Sequence, residues 1–276
     1  MRLAHLSDLH FGKHDTVVSA TLARELEAQS PDLVVVSGDF TQTGSEAEFR
    51  AAREFLDTLT APYFAVPGNH DVPQRDMWRR FVNPYGHYRK YVSPDLEPFT
   101  EIDGVAIVGL KTPHRATAGL NWQQGAFGRR QLEAVSARFE AASADAIRVI
   151  VAHHPLLEPE GELKGSMPPV RRADLALATF ARVGVRLVLS GHFHLSYVRE
   201  HAHLGEVGEG EPTGARKSAA APILVAQASS TISTRLRGHP NAYNLIDFEG
   251  DTINIAVREW RDGKWMTREE TQEPAS

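Results

Sequence analysis

Cysteine is absent from this chain of 276 residues. Disulfide bonds and thiolate metal sites are therefore excluded, and any metal ion must be held by histidine, carboxylate, asparagine or backbone oxygen. Histidine, in contrast, occurs 13 times. The sequence therefore offers imidazole and oxygen ligands, without any thiol.

Long apolar runs and an excess of positive charge are missing as well. No run approaches the roughly 18 consecutive apolar residues that can span a membrane. The net charge is −5, whereas proteins that bind nucleic acid usually carry a basic excess. Asp8 and His10 lie where a secretory signal would have its apolar stretch. We therefore expect a cytoplasmic protein that has neither a membrane nor nucleic acid as its partner.

The first two thirds of the chain alternate apolar runs with helical patterns. Their β-branched composition predicts strands that are buried on both faces of a sheet. The runs cover residues 2–10, 31–39, 62–71, 147–155 and 185–194. Between them, the spacing of apolar residues predicts helices. These helices cover residues 17–29 after a cap at Asp15, 45–59 with a capping box, 129–142 and 171–182. This alternation predicts the α/β class.

The remaining part of the chain has a different character. Short strands are predicted at 221–228, 242–248 and 252–260, with a hairpin turn at 249–251. Residues 200–220 are rich in glycine and mixed in charge, which predicts a flexible, exposed loop. Because no repeat or linker divides the chain, we predict a single domain over residues 1–276.

Five of the apolar runs end in side chains that bind metal ions. One such pair or residue is common in proteins, but five in one chain are much more specific. Because ligands bind beyond the carboxyl ends of strands in open α/β sheets, these side chains are expected to converge. They are Asp8 and His10, Asp39, Asn69 and His70, His153 and His154, and His192 and His194.

These motifs resemble those of a known superfamily. The segments DLH at 8–10, GD at 38–39, GNHD at 68–71, HHP at 153–155 and GHFH at 191–194 are similar to those of the calcineurin-like metallophosphoesterases. The branch most similar to this chain contains the class III cyclic-nucleotide phosphodiesterases and their glycerophosphodiesterase relatives. The resemblance implies a two-sheet β-sandwich flanked by helices.

The resemblance also implies a role for each motif residue. Two divalent or mixed-valence ions of Mn, Fe, Zn or Co are expected, and borderline ions of this kind suit imidazole and oxygen ligands. One ion would be held by Asp8, His10 and His194, the other by Asn69, His153 and His192, with Asp39 bridging both. A hydroxide between the ions would attack phosphorus.

Three further residues of these motifs receive other roles. His70 would stabilise or protonate the leaving oxygen. His154 would lie behind the ligands or line the pocket. Asp71 would either orient His70 or cap the following helix, and we favour the cap.

The expected reaction is hydrolysis of a small phosphodiester, either a cyclic nucleotide or a glycerophosphodiester. A phosphomonoesterase, a nuclease and a non-catalytic interaction module are the alternatives. Residues 75–91 interleave cations with aromatic residues; an amphipathic helix packed on the core is favoured over a substrate-binding segment. The roles of residues 156–172 and 229–238 stay open, as does the oligomeric state, a homodimer included.

Overall fold

The computed structural model describes residues 1–114, 123–159, 165, 167–201 and 221–268. In these ranges the strands form two six-stranded sheets. The first has the order β12-β11-β10-β1-β2-β3. Its strands are β1 (Arg2–Leu6), β2 (Leu33–Val36), β3 (Tyr63–Ala65), β10 (Ala242–Glu249), β11 (Thr252–Arg261) and β12 (Lys264–Thr267).

The second sheet has the order β4-β5-β6-β7-β9-β8. Its four central strands are parallel to one another. The strands are β4 (Phe99–Ile102), β5 (Val105–Leu110), β6 (Ile147–Ala152), β7 (Val185–Ser190), β8 (Tyr197–His201) and β9 (Ile223–Gln227).

The two sheets pack face to face and helices cover their outer faces. The interior between the sheets contains Leu3 and Val35 from the first sheet and Ile107, Val149 and Leu187 from the second, all buried. The helices are α1 (Thr16–Gln29), α2 (Glu46–Leu56), α3 (Met77–Val82), α4 (Gly86–Tyr91), α5 (Arg129–Glu133), α6 (Val135–Glu140) and α7 (Ala173–Arg182). The predicted β-sandwich flanked by helices is therefore confirmed.

Local sequence explains where the two long helices of the first layer begin. The Asp15 carboxylate accepts hydrogen bonds from the N–H groups of Val17 and Val18 at the start of α1. Ser45 and Glu48 form the predicted capping box of α2. Both helices then bury apolar side chains such as Leu22 against the first sheet. Each such burial contributes about 2 kcal/mol to the free energy of unfolding.

Several predicted elements differ from the structure. The helix predicted at 129–142 is divided into α5 and α6 at Ala134. The helix predicted from residue 171 begins only at Ala173, because Arg172 has a left-handed backbone conformation with φ of 67°. Strands β4, β5, β8 and β12 were not predicted. The loop predicted at 200–220 lies outside the described residues, except that Glu200 and His201 end β8.

The segment 75–91 is not the single amphipathic helix that we predicted. It forms α3 and α4, separated by a short connection. Tyr85 and Tyr88 are buried in the core, as expected for packed aromatic residues. Trp78, however, is 77% exposed and Phe81 45%. Within the described ranges, no helix combines the length and the apolar character that a membrane crossing requires.

Candidate metal centre

The loops that follow β1, β2, β6 and β7 meet at one end of the two sheets. The loop after β1 runs beside the loop after β2, since the Asp8 N–H donates to Gly38 O (3.1 Å) and the His10 N–H to Asp39 O (2.9 Å). The His192 N–H donates to the Asp8 carboxylate (2.9 Å), which connects β7 to the same place. Side chains from distant parts of the sequence are brought together in this way.

The backbone at these loops is strained. In the described ranges, nine residues other than glycine have a positive φ, and five of them are predicted metal ligands. Such conformations are sparsely populated and cluster at functional sites. The five are Asp8 (φ 53°), His10 (47°), Asp39 (54°), His192 (74°) and His194 (58°).

Asp8, His10 and His194 form the first group of potential ligands. The Oδ1 atom of Asp8 lies 3.5 Å from Nε2 of His10 and 3.5 Å from Nε2 of His194. All three side chains are buried. Within the described part of the chain, Asp8 Oδ1 and His10 Nε2 have no hydrogen-bond partner. Buried polar atoms without a partner are costly, and a cation between these atoms would satisfy them.

A second group contains His153, Asn69 and His192. The Oδ1 atom of Asn69 lies 3.1 Å from Nε2 of His153, and the ring centroids of His153 and His192 are 5.2 Å apart. Asp39 lies between the two groups, with Oδ2 3.7 Å from His10 Nε2 and 3.3 Å from His153 Nε2. All seven predicted ligands are therefore brought to one place.

Hydrogen bonds on the far side of three rings direct Nε2 into the centre. The His10 Nδ1–H donates to Thr41 O (3.2 Å) and the His153 Nδ1–H to Ser37 O (2.8 Å). His194 Nδ1 is bonded to the Ser230 hydroxyl. Metal-binding histidines are usually held in this manner by an outer partner, which fixes the tautomer.

The electrostatics of the cluster also suit a cation. Burial acts to raise the pKa of Asp8 and Asp39, but the neighbouring imidazoles, foremost His194 and His153 respectively, outweigh it and hold both pKa values below the ordinary range. Burial lowers the pKa of His192 to about 3 and that of His194 to about 4. The carboxylates are therefore anionic and these two rings neutral, which are the protonation states that bind metal ions. Burial acts to lower the pKa of His153, but Asp39 outweighs it and raises this pKa to about 9, so this ring must lose a proton when a metal ion binds.

His70 lies beside this centre. Its backbone N–H donates to Asp39 Oδ1 (2.8 Å). Nδ1 lies 2.6 Å from the carbonyl oxygen of Gln42, and because a carbonyl can only accept, Nδ1 carries the proton. The side-chain amide nitrogen of Gln74 lies 2.8 Å from the same ring nitrogen. Arg235 donates to Nε2 from 3.2 Å.

His154 is buried next to the second group, but its nitrogens are occupied. Nδ1 is 2.7 Å from the Thr112 hydroxyl and Nε2 is 2.8 Å from Gln123 O. Its ring lies tilted beside that of His192, with centroids 4.5 Å apart. One nitrogen of His154 lies within 4.8 Å of nitrogens of His153 and His192, but in this structure both of its nitrogens are hydrogen-bonded to other groups.

The prediction that Asp71 caps the following helix is wrong. That helix, α3, is capped by Asp76, whose carboxylate accepts from the Arg79 N–H. Asp71 instead accepts hydrogen bonds from the N–H groups of Gly68 (2.8 Å) and Thr41 (3.0 Å). It thereby fixes the loop that carries Asn69 and His70. A cap and this role have the same local sequence pattern, and only tertiary contacts distinguish them.

Residues 229–238, whose role the sequence left open, lie against the centre. The Thr231 N–H donates to Ser7 O (3.0 Å), and the Ser7 N–H donates to Thr231 Oγ1 (3.0 Å). Together with the contacts of Ser230 to His194 and of Arg235 to His70, these bonds make the segment a wall of the site. The segment is rich in hydroxyl groups and arginine, but it has no periodic pattern from which its place could be predicted.

A groove of about 740 Å³ opens next to His70. It includes Gln42 and Gln74, both of which contact the His70 ring. Its other walls come from the loop before α1, the loop before α2 together with the first turn of α2, and the start of α3. They contain both cations and carboxylates, namely Lys13, Glu46, Glu48, Arg75, Asp76 and Arg79.

Comparisons with known proteins show the family to which the chain belongs. A probable cyclic nucleotide phosphodiesterase of Synechococcus is 28% identical over 212 residues, which are 72% of this chain and 75% of that protein. The glycerophosphodiester phosphodiesterase GpdQ of Enterobacter lignolyticus is 38% identical over 86 residues, 26% of this chain and 30% of that protein.

Two solved structures share the fold. A dimetal phosphatase from Danio rerio has a TM-score of 0.64 and 12% identity, covering 94% of this chain and 96% of that one. A purple acid phosphatase from yellow lupin has a TM-score of 0.63 and 14% identity, covering 97% of this chain and 52% of that one. Residues 1–196 match the family model described as calcineurin-like phosphoesterase. The chain therefore belongs to the calcineurin-like metallophosphoesterase family.

Proposed function

We propose that the chain is a metal-dependent phosphodiesterase that hydrolyses a small phosphodiester, either a cyclic nucleotide or a glycerophosphodiester. The observation that carries this proposal is the position of Asp39. One oxygen of its carboxylate lies within 4 Å of imidazole nitrogens from both groups of potential ligands. A carboxylate shared in this way can offset the repulsion between two cations that bind close together.

In the proposed assignment, each ion has nitrogen and oxygen ligands. Asp8, His10 and His194 would hold one ion, Asn69, His153 and His192 the other, and Asp39 both. Imidazole with carboxylate and amide oxygen suits Mn, Fe, Zn or Co. When bound, such a pair supplies an activated water as nucleophile and polarises the phosphoryl oxygens.

The remaining chemistry is assigned to His70. Gln42 occupies the Nδ1–H of this ring, and in the resting state Nε2 accepts the Arg235 N–H. Burial lowers the pKa of His70, which makes the neutral ring the resting form. We propose that His70 takes part in stabilising or protonating the leaving oxygen, for which Nε2 would release the Arg235 N–H and take up a proton from water. The Asp39–His70 backbone hydrogen bond would keep this nitrogen in register with the ligands.

Three observations favour a small diester over a monoester or a nucleic acid. A diester has two alcohol groups, and the groove of about 740 Å³ beside His70 offers room for the second one. The relatives in Synechococcus and Enterobacter carry the names of phosphodiesterases. The groove is lined by the carboxylates Glu46, Glu48 and Asp76 as well as by cations. It therefore lacks the uniformly basic surface on which nucleic acid binds. The cytoplasmic location stays a prediction.

A substrate panel tests this proposal. The protein loaded with Mn²⁺ is assayed with bis(p-nitrophenyl) phosphate, p-nitrophenyl phosphate, cyclic AMP and glycerophosphocholine. We expect a higher kcat/KM for diesters than for the monoester, with activity lost in Asp39→Ala. A preference for the monoester would refute the phosphodiesterase assignment. Activity unaffected by Asp39→Ala would refute the assignment of Asp39 as a ligand shared by the two ions.

A further inference from the structure

Arg235 is turned inward from an exposed stretch of chain. Its neighbours Thr234 and Leu236 are exposed, whereas Arg235 is half-buried. The backbone on its N-terminal side is fixed at several points. The Thr234 N–H donates to Lys13 O (2.8 Å), the Arg235 N–H to Ser233 Oγ (3.0 Å) and the Asn241 amide to Ser233 O (2.9 Å). The guanidinium is therefore presented by a rigid turn.

The guanidinium uses one of its donors on His70. Because Nδ1 of His70 donates to Gln42, Nε2 is the acceptor of the Arg235 N–H at 3.2 Å. Arginine has five N–H donors in a planar fork. Within the described residues, the remaining side-chain donors of Arg235 have no partner. A half-buried cation with free donors beside a candidate phosphate site is an anion-binding group.

Arg235 lies beside the centre because of its contact with His70. The ring centroid of His70 is 4.8 Å from that of His10, which belongs to the first group of potential ligands. The backbone N–H of His70 donates to Asp39. The guanidinium is thus close to the face where a phosphoryl group would meet the ligands. Its contact with His70 fixes its orientation there.

We propose that Arg235 binds the phosphoryl oxygens of the bound ester, and that His70 Nε2 positions its guanidinium for this contact. The inference rests on the proposed function. The planar fork can donate two parallel hydrogen bonds to one phosphoryl group, a geometry that lysine cannot reproduce. Arg235 is then a catalytic residue in addition to His70, and it selects for a bound anion irrespective of the alcohol attached to it.

Substitution of Arg235 tests the assignment, with two readouts. For Arg235→Ala, kcat/KM for bis(p-nitrophenyl) phosphate and the affinity for inorganic phosphate, measured by calorimetry on the Mn²⁺-loaded protein, should both fall by about 10- to 100-fold, the worth of a charge-assisted hydrogen bond. Arg235→Lys should recover only part of either loss. Metal content, measured alongside, should equal that of the wild type.

Arg237→Ala is the matched control. Arg237 lies two residues further on, is exposed and contacts the Met167 sulfur. Both readouts should be unchanged in this variant. If Arg235→Ala binds phosphate as the wild type does, the inference is overturned, even when kcat/KM falls, because the side chain would then act only through the scaffold. If Arg235→Lys had the kcat/KM and the phosphate affinity of the wild type, the claim that a planar guanidinium donates two parallel hydrogen bonds would be overturned.

The two proposals fail in different ways. A wild-type protein that hydrolyses none of the panel esters would refute the proposed function and this inference with it. An active wild type whose kcat/KM and phosphate affinity are both unchanged by Arg235→Ala would refute the inference alone. A double variant with His70→Ala should lose less than the sum of the two single losses in free energy, because His70 orients the guanidinium. Additive losses would overturn the positioning role.

Discussion

The Asp71 carboxylate accepts a hydrogen bond of 2.8 Å from the N–H group of Gly68, three residues earlier in the chain. Asn69 and His70 lie between these two residues, so the bond closes the loop that presents a candidate ligand and a candidate catalytic group. An added Cβ at Gly68 would lie 2.1 Å from Asp39 Oδ1, so the loop also passes close to the shared carboxylate. Asp71 thus holds the loop of Asn69 and His70 close to Asp39.

The role of Asp71 leads to a prediction for metal affinity. Asp71→Ala removes the acceptor of the Gly68 and Thr41 N–H groups, so Asn69 is held less firmly and the affinity for Mn²⁺ should fall by about 10- to 100-fold. Competition with a chromogenic chelator measures this affinity. Asp76→Ala, which removes only the cap of α3, should leave the affinity unchanged and cost about 1 kcal/mol of stability. Equal affinities in the wild type and Asp71→Ala would contradict the role.

A second prediction concerns the close approach at Gly191. A Cβ added there would lie 1.8 Å from Ser7 Oγ and 2.5 Å from Asp8 Oδ2. Gly191→Ala should therefore displace Asp8, abolish detectable phosphodiesterase activity and destabilise the fold by about 1–3 kcal/mol. Gly128→Ala is the control, because its Cβ would meet neighbours at 3.5 Å or more. Phosphodiesterase assays measure the loss of activity, and urea denaturation measures the loss of stability. Full activity in Gly191→Ala would show that the loop accommodates the Cβ atom without displacing Asp8.

The shared position of Asp39 predicts how metal ions change thermal stability. Ions that bind only the folded state raise the free energy of unfolding, by about 4 kcal/mol at a thousand times Kd. Addition of Mn²⁺ to chelator-treated protein should raise Tm by several degrees in the wild type and much less in Asp39→Asn. Asp57→Asn, at a carboxylate 67% exposed on the surface, serves as the control. An equal rise of Tm in Asp39→Asn would remove Asp39 from the ligand set.

His5 predicts the pH dependence of stability of the metal-free protein. Burial lowers the pKa of His5 to about 3, although Asp8 acts to raise it, and the neutral ring is bonded to Ser37 and Asn244. The folded pKa lies below the unfolded value near 6.5, so the unfolded state binds more protons as the pH falls below 6.5. This residue should therefore cost about 2 kcal/mol of stability between pH 7.5 and pH 5.

Urea denaturation of chelator-treated His5→Gln at the two pH values tests this. The variant should lose that share of the pH dependence, whereas His239→Gln, at an exposed position, should retain it. An unchanged pH dependence in His5→Gln would show that another buried group is responsible.

The candidate site could be predicted to a large extent from the sequence. Asp39 and His153 each follow an apolar run, and such runs were expected to present ligands at their carboxyl ends. The two strands lie in different sheets, whose packing brings these ends together. The runs at 31–39 and 147–155 contain the strands β2 and β6 that were expected there. Strand β5 escaped prediction although it is wholly buried, because the runs were recognised by the ligand residues at their ends and β5 has none.

Other parts of the site could not be predicted in this way. Arg235 lies in a segment without periodicity, and its contact with His70 spans 165 positions of the chain. Asp71 has the sequence context of a helix cap, yet its carboxylate is used by the N–H groups of Gly68 and Thr41. Neither relationship has a local pattern, since each depends on how two loops pack.

The sequence by itself determined the elements and the ligand types. Apolar runs with β-branched residues form strands, helices begin at side chains that satisfy free N–H groups, and the absence of cysteine restricts a metal ion to nitrogen and oxygen. The tertiary structure alone decided which side chains act beyond this set. It turned Arg235 toward His70, bonded both nitrogens of His154 to Thr112 and Gln123, and assigned Asp71 to the loop of Asn69. Such decisions depend on distances between residues far apart in the chain, which only the packing of the two sheets establishes.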